Sequence, residues 1–294
     1  MFIDTGNIKN TIFIAGSGRS GTTWLMEMIN YKNQFRPIFE PFHNKNNSLL
    51  KNWKYRQYLS ENNVDDKFLI PTLKILKGKI RTNWTDQFHN KIISNKRIIK
   101  DIRANLFLKW LHIHHPQIEL ILLLRHPCAV ANSKSRLNWD PHLDEFLSQP
   151  DLMNDLLYPF KGIIRDCSDT FEKHILMWCI ENYVPLKQFK RNEILVLFYE
   201  DLCMNLIASL DDLQSFLRTW IKPKLINQSK PSALVRNDSA INTGSDLINT
   251  WKKDISPSQI KDSVNICKLF GLDKIYGENS LPLIEGKLAL DVIK

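Results

Sequence analysis

The sequence predicts an α/β protein: a three-layer α/β/α fold built on a mainly parallel central sheet. Three stretches carry that prediction. Ile12 to Ala15 is a short apolar run that enters a glycine-rich turn and then Thr22 to Ile29 with helical spacing; Ile118 to Leu124 is followed by Pro127 and a helical stretch; Glu193 to Glu200 is followed by Leu206 to Trp220. Strands that alternate with helices, rather than with hairpin turns, are the pattern of parallel crossovers. Apolar runs without polar alternation belong to strands buried on both faces.

At 294 residues and 43% hydrophobic content the chain can bury one substantial core, so a single domain over 1–294 is expected. A formal net charge of +9 favours anionic ligands. Lys and Arg are interleaved with Asp and Glu, which speaks for a solvated basic surface rather than a nucleic-acid stripe, and no nucleic-acid partner is expected. The five cysteines, Cys128, Cys167, Cys179, Cys203 and Cys267, lack metal or redox spacing and read as reduced thiols. No apolar segment resembles a signal peptide or a spanning helix, so stable membrane insertion is not expected and the expectation is a cytoplasmic protein.

In chain order, the turn after Ala15 reads Gly16-Ser17-Gly18-Arg19-Ser20-Gly21 and opens into Thr22, Thr23 and Trp24. Its glycines are expected to admit positive φ, while the helix start offers unpaired amides and a positive dipole end, so a phosphate fits there. The loop is like a nucleoside-triphosphate loop with one departure. Where a lysine would reach the outer phosphates this chain has Thr22, and the cation, Arg19, lies inside the loop, suiting a single 5′-phosphate with a transferable group.

Pro37 and Pro41 forbid a continuous helix over Asn33 to Phe42, which is expected as a strand end or loop. There Glu40 lies between Phe39 and Pro41, where desolvation could raise its pKa; a catalytic carboxylate and a surface or capping Glu are both open readings. Asn44 to Lys96 is expected to hold helices and loops without a core strand. Arg97 to Arg103 reads as a strand and Asn105 to His112 as a helix, which sets Lys100, Asp101 and Arg103 near a strand's carboxyl end. His112, His114 and His115 lack accompanying ligands and read as a polar turn, so no metal site is expected.

After Ile118 to Leu124, Arg125 stands at a strand end and Ser133 about two turns into a helix begun by Pro127, which makes a second anion site. Lys134 to Phe171 looks loop-like, with the character of a lid. Thr170 to Lys187 reads as an amphipathic helix ending near Pro185. In the tail, Ser232 to Gly244 reads as extended, Arg236, Trp251 and Lys252 read either as a nucleotide cap or as a Trp packed on the core beside solvated lysines, and a helix over Pro257 to Phe270 stops at Gly271.

The blocks GSGRSGTTWL at Gly16 to Leu25, RHPCAVANS at Arg125 to Ser133, FYEDL at Phe198 to Leu202 and the late Trp251-Lys252 together resemble the sulfotransferases that use 3′-phosphoadenosine 5′-phosphosulfate (PAPS). The resemblance implies a P-loop nucleoside-triphosphate-hydrolase-like fold related to nucleotide kinases. It implies a 5′-phosphosulfate held by Gly18, Arg19, Ser20, Gly21, Thr22 and Thr23, a 3′-phosphate held by Arg125 and Ser133, and Trp24 and Tyr199 near the adenine. The histidine base of small-molecule members is absent from Lys100-Asp101-Ile102-Arg103. The loop arginine and Phe39-Glu40-Pro41 look more like carbohydrate-type and bacterial members, some of which use a glutamate base. The expectation is sulfuryl transfer to a hydroxyl acceptor, a carbohydrate or small metabolite, with Glu40 as base, Asp101 in reserve, Arg19 stabilising the leaving oxygen, 3′,5′-bisphosphoadenosine (PAP) as product and no metal. The rival readings are a nucleotide kinase or other phosphoryl-transfer enzyme and a nucleic-acid binder.

Overall fold

The computed structural model describes residues 3–218 and 246–293. Ser232 to Gly244, with Arg236, lies outside the described residues. The chain forms β1 (Ile3–Asp4), β2 (Thr11–Gly16), β3 (Arg36–Phe39), β4 (Ile93–Ser94), β5 (Arg97–Asp101), β6 (Glu119–Leu124) and β7 (Leu195–Phe198). Five of these make one sheet, in the order β3-β5-β2-β6-β7 and parallel throughout, while β1 and β4 pair separately.

The expected class is seen, and the packing explains it. β2 is central and every residue of it is buried. Its side chains alternate between two cores: Phe13 and Ala15 pack with Ile99, Leu120, Leu122, Trp110 and Trp178, whereas Ile12 and Ile14 pack with Leu25, Met26, Ile98, Ile121, Leu210 and Leu213. Helix α1 (Thr22–Ile29) and the helix Leu206–Phe216 close the second face; the long helix Thr170–Gln188 closes the first. A sheet covered on both faces leaves ligands the edge formed by the strands' carboxyl ends.

Several boundaries differ from expectation for physical reasons. The prolines do not keep Arg36–Phe39 from forming a strand, because β3 is at the sheet edge, where a missing N–H is tolerated. Glu193 to Glu200 is a strand only over Leu195–Phe198, since Tyr199 already begins a helix, Tyr199–Met204. The 134–171 region is mostly helical rather than a loop, with short pieces at Leu143–Leu147, Pro150–Leu152, Met153–Leu157 and Lys161–Asp166. Pro150 stands at a first helical turn, where proline costs nothing, so its presence did not mark irregular chain. Pro185 lies inside the long helix, which continues to Gln188. The expected turn at the histidines is the end of the helix Leu108–His114, with His115 as its C-cap. The helix Pro257–Leu269 ends at Gly271, which takes φ +70 as expected. All five thiols are free.

Candidate active site

The glycine-rich loop leaves β2 and enters α1 at the carboxyl edge of the sheet. Positive φ falls on Arg19 (+78°) and Gly21 (+92°), and not on every loop glycine. Gly21 needs its lack of a side chain twice, since a Cβ there would lie 2.6 Å from the Tyr199 ring. Gly18 is kept small by close approach instead: a Cβ would meet Trp139 at 2.8 Å and Ile102 at 3.1 Å. Arg19 is not a comfortable residue at positive φ, and its side chain is tied down by an Nε–H donated to Ser133 Oγ at 2.9 Å. Ser20 Oγ is buried without a partner, a hydroxyl that an anionic oxygen in the loop would satisfy. Thr22, Thr23 and Trp24 supply the first turn of α1, whose amides have no intrahelical acceptor.

β6 brings the second cation to the same place. Its register sets Leu123 beside Gly16, so Arg125, just past the strand, reaches the loop and donates from Nη1 to the Arg19 carbonyl at 3.2 Å. The helix Pro127–Ser135 carries Ser133 to Arg19. The Arg125 guanidinium lies 4.3 Å from the centre of the Tyr199 ring, and Tyr199 meets Trp24 edge-on at 5.7 Å. Arg19, Arg125, Ser133, Trp24 and Tyr199 therefore gather at one loop from segments far apart in sequence. Trp251 is elsewhere: it is buried, its ring stacked on His126 at 4.5 Å, and Lys252 lies over its ring at 5.5 Å. The pair thus backs the residue next to Arg125.

A buried network that sequence reading missed holds the Arg125 backbone. Trp178 Nε1 donates to the Arg125 carbonyl at 3.0 Å. Glu200 accepts the His126 N–H at 2.9 Å on one oxygen and the Tyr276 hydroxyl at 2.7 Å on the other. Burial pushes Glu200 up to about 7, against the pull of those hydrogen bonds. A carboxyl raised in the folded state from the ordinary 4.5 stabilises fully below that value and loses its contribution as pH rises through about 7. The non-titrating variant Glu200→Gln is therefore expected to compare least well with wild type near pH ~5 and to gain on it by pH ~8 in urea melts. A stability difference independent of pH would contradict this.

On the other side of the loop stands Glu40. The pairing of Phe39 with Lys100 across β3 and β5 sets Glu40 beside the end of β5, and Asp101 there pairs with Ala15 at the start of the loop. Glu40 takes φ +41 and is 5% exposed. Lys100 Nζ donates to its Oε1 at 2.5 Å and Arg103 Nη1 to its Oε2 at 2.6 Å. Here the expectation of a raised pKa is corrected: burial alone would raise it, but the charges of Lys100 and Arg103 outweigh burial and hold the carboxyl below its ordinary value. Glu40 is thus kept ionised. Asp101, fully buried, accepts the N–H groups of Phe42 at 2.7 Å and Arg103 at 2.8 Å and so serves the backbone just past β3 and β5. Burial raises it to about 6.

Among the described residues no helix is long and apolar enough to cross a membrane, and no group of His, Cys, Asp or Glu is arranged to hold a metal ion.

A parallel sheet with a glycine-rich turn between its central strand and a helix, and cations from neighbouring strand ends converging on it, defines the class: an α/β protein with its candidate site at the carboxyl edge of the sheet, in a turn that suits an anion. Within that class the chain belongs to the sulfotransferase family, whose model, described as sulfotransferase domain, matches residues 9–269. Similar solved structures include the sulfotransferase domain from the curacin biosynthetic pathway, at 16% identity and TM-score 0.49 over 92% of this chain and 98% of that one. The sulfotransferase domain of the Synechococcus PCC 7002 olefin synthase is 18% identical, TM-score 0.49, over 91% and 95%. Mouse sulfotransferase SULT7A1, complexed with PAP, is 14% identical, TM-score 0.44, over 89% and 83%. No curated protein matches the chain.

Proposed function

We propose that this sulfotransferase takes its sulfuryl group from PAPS and passes it to the hydroxyl of a carbohydrate or small metabolite, with Glu40 as the base. The observation that carries the reading is the order of groups along the sheet edge: an ionised, two-cation-held carboxylate on one side of the loop, and the Arg19–Ser133–Arg125 cluster on the other. Gly18, Arg19, Ser20, Gly21, Thr22 and Thr23 would hold the 5′-phosphosulfate, Arg125 and Ser133 the 3′-phosphate, and Trp24 and Tyr199 the adenine. Trp251 and Lys252 would act from behind, through His126.

Glu40 accepts the proton of the acceptor hydroxyl as that oxygen bonds to sulfur in line; the bond from sulfur to the phosphate oxygen breaks, and PAP leaves. Arg19 cannot give up a proton, so it acts by charge on the oxygen that is released. Preorganised donors of this kind are worth ~3 kcal/mol each. Asp101 is the reserve for the base: its two oxygens accept backbone N–H groups, which fix it to the main chain, whereas those of Glu40 are held by side chains. The test follows nucleotide conversion by chromatography with EDTA present and a pool of sugars and phenols as acceptors. PAPS converted to PAP, faster with the pool, is expected; conversion of ATP to ADP with Mg²⁺, and none of PAPS, would make the protein a phosphoryl-transfer enzyme.

A further inference from the structure

Two buried ion clusters meet at Tyr55. In one, Glu40 takes Lys100 and Arg103. In the other, Glu181 of the long helix takes Arg56 Nε at 2.5 Å and Lys134 Nζ at 3.5 Å, all three side chains being buried. The second cluster sets two cations against one carboxylate and so keeps an excess of positive charge in a place where unbalanced charge is costly, while in the first the nearby Asp101 adds a second negative charge. Both guanidinium groups lie over the half-buried Tyr55 ring, Arg56 at 4.4 Å and Arg103 at 5.2 Å from its centre. On each, one nitrogen, Arg56 Nη1 and Arg103 Nε, is buried with no hydrogen-bond partner. The matching partner for such groups is an anionic oxygen. Asp101 does not supply it, since its oxygens are engaged by backbone.

Tyr55 also belongs to a run of rings. It touches His142 at 5.3 Å and His43 at 6.3 Å; His43 meets Trp84 at 5.6 Å, and Trp84 Nε1 donates to the Glu40 carbonyl at 3.2 Å. Burial and the Arg103 charge lower His43 to about 4, so it is neutral at physiological pH. Every ring in the run pairs an apolar face with a polar tip, which suits a ring-shaped ligand bearing hydroxyls.

We propose that Arg56, Arg103 and Tyr55 form an anion-reading acceptor subsite, so that the acceptor is a ring compound carrying a carboxylate or similar anion close to the hydroxyl that is sulfated. The inference rests on the donor reading above. Arg103 joins its two halves: Nη1 holds Glu40, at which the hydroxyl is activated, and Nε is buried beside Tyr55 with no hydrogen-bond partner. An acidic sugar and a hydroxylated aromatic acid share this chemistry.

The test titrates the full chain, saturated with PAP, with D-glucuronate and its methyl ester, salicylate and its methyl ester, and inorganic sulfate, reading tryptophan fluorescence. At least one acid is expected to bind about tenfold more tightly than its ester, and the pair that does so tells sugar from aromatic acid. Arg56→Lys keeps a cation for Glu181 but loses the planar fork, and is expected to cut that preference to about threefold or less at unchanged PAP affinity. Tyr55→Ala leaves both ion clusters in place and is expected to weaken acid and ester alike, leaving their ratio unchanged. Should Arg56→Lys not fold, the wild-type ratio alone decides. Equal binding of acid and ester, or no binding of either, overturns the subsite; so does displacement of the acid by inorganic sulfate, which would assign the seat to the sulfuryl group. Failure of PAP itself to bind would instead remove the donor reading, and the inference with it.

Discussion

Glu40→Gln is expected to lower kcat by about 10² to 10³, the range of a lost general base, with PAP affinity nearly unchanged. The separation follows from the geometry: the Glu40 carboxylate is held by Lys100 and Arg103, whereas Ser133 and Arg125 bond to Arg19. The same ion pairs set the pH behaviour. A base must be unprotonated to act, and burial is outweighed here by two cations that hold the carboxyl below its ordinary 4.5. The rate is therefore expected to show no loss on the acid side attributable to Glu40 until pH falls below that value. Its stabilisation of the fold is likewise present above 4.5 and lost as pH falls through the lower folded value. The variant leaves two buried cations facing an amide, so circular dichroism accompanies the kinetics, and Glu40→Asp provides a second variant that keeps the charge but shortens the reach. Full activity in Glu40→Gln with a normal spectrum would remove Glu40 from the base role.

Arg125→Ala carries the second large effect. A charge-assisted pair with a phosphate is worth ~2–3 kcal/mol, so PAP affinity is expected to fall by about 100-fold. 5′-AMP, which has no 3′-phosphate, is expected to lose far less, since its remaining partners are in the loop. The ratio of the two affinities is the readout, because general damage to the loop, to which Arg125 donates at the Arg19 carbonyl, would weaken both ligands together. A parallel loss for PAP and 5′-AMP would mean that Arg125 only supports the loop.

Much of this was legible in the sequence where chemistry and element type coincide. Gly21 followed by Thr22 and Thr23 marks a strand-to-helix turn, and Pro127 fixes Arg125 at a strand end with Ser133 on the following helix. The clamp on Glu40 was not legible, because it depends on a register: only the pairing of Phe39 with Lys100 across two strands brings Glu40 to Lys100 and Arg103. The sign of its pKa shift was misjudged for that reason, since burial is visible in a sequence neighbourhood and a distant partner is not. Glu200 sat in plain sight within FYEDL, but its role needs Tyr276 and the His126 amide, which no spacing rule joins. Trp251 reads from the sequence either as part of a nucleotide cap or as a ring packed on the core, and the buried ring, its face taken by His126, is of the second kind. The proposed acceptor subsite is the least legible, since Tyr55 with Arg56, Lys134 and Glu181 come from three separate segments and none sits in a motif.

The measurement that bears most directly on the central claim is calorimetric titration of the wild-type chain with PAP in the presence of EDTA, with Mg·ATP in a parallel run. The account predicts metal-free binding of PAP with a Kd of about 1 µM or below, and Mg·ATP at least about 100-fold weaker, because the loop has Thr22 in place of the lysine that reaches the outer phosphates. Mg·ATP binding as tightly as PAP, or more tightly, would contradict it.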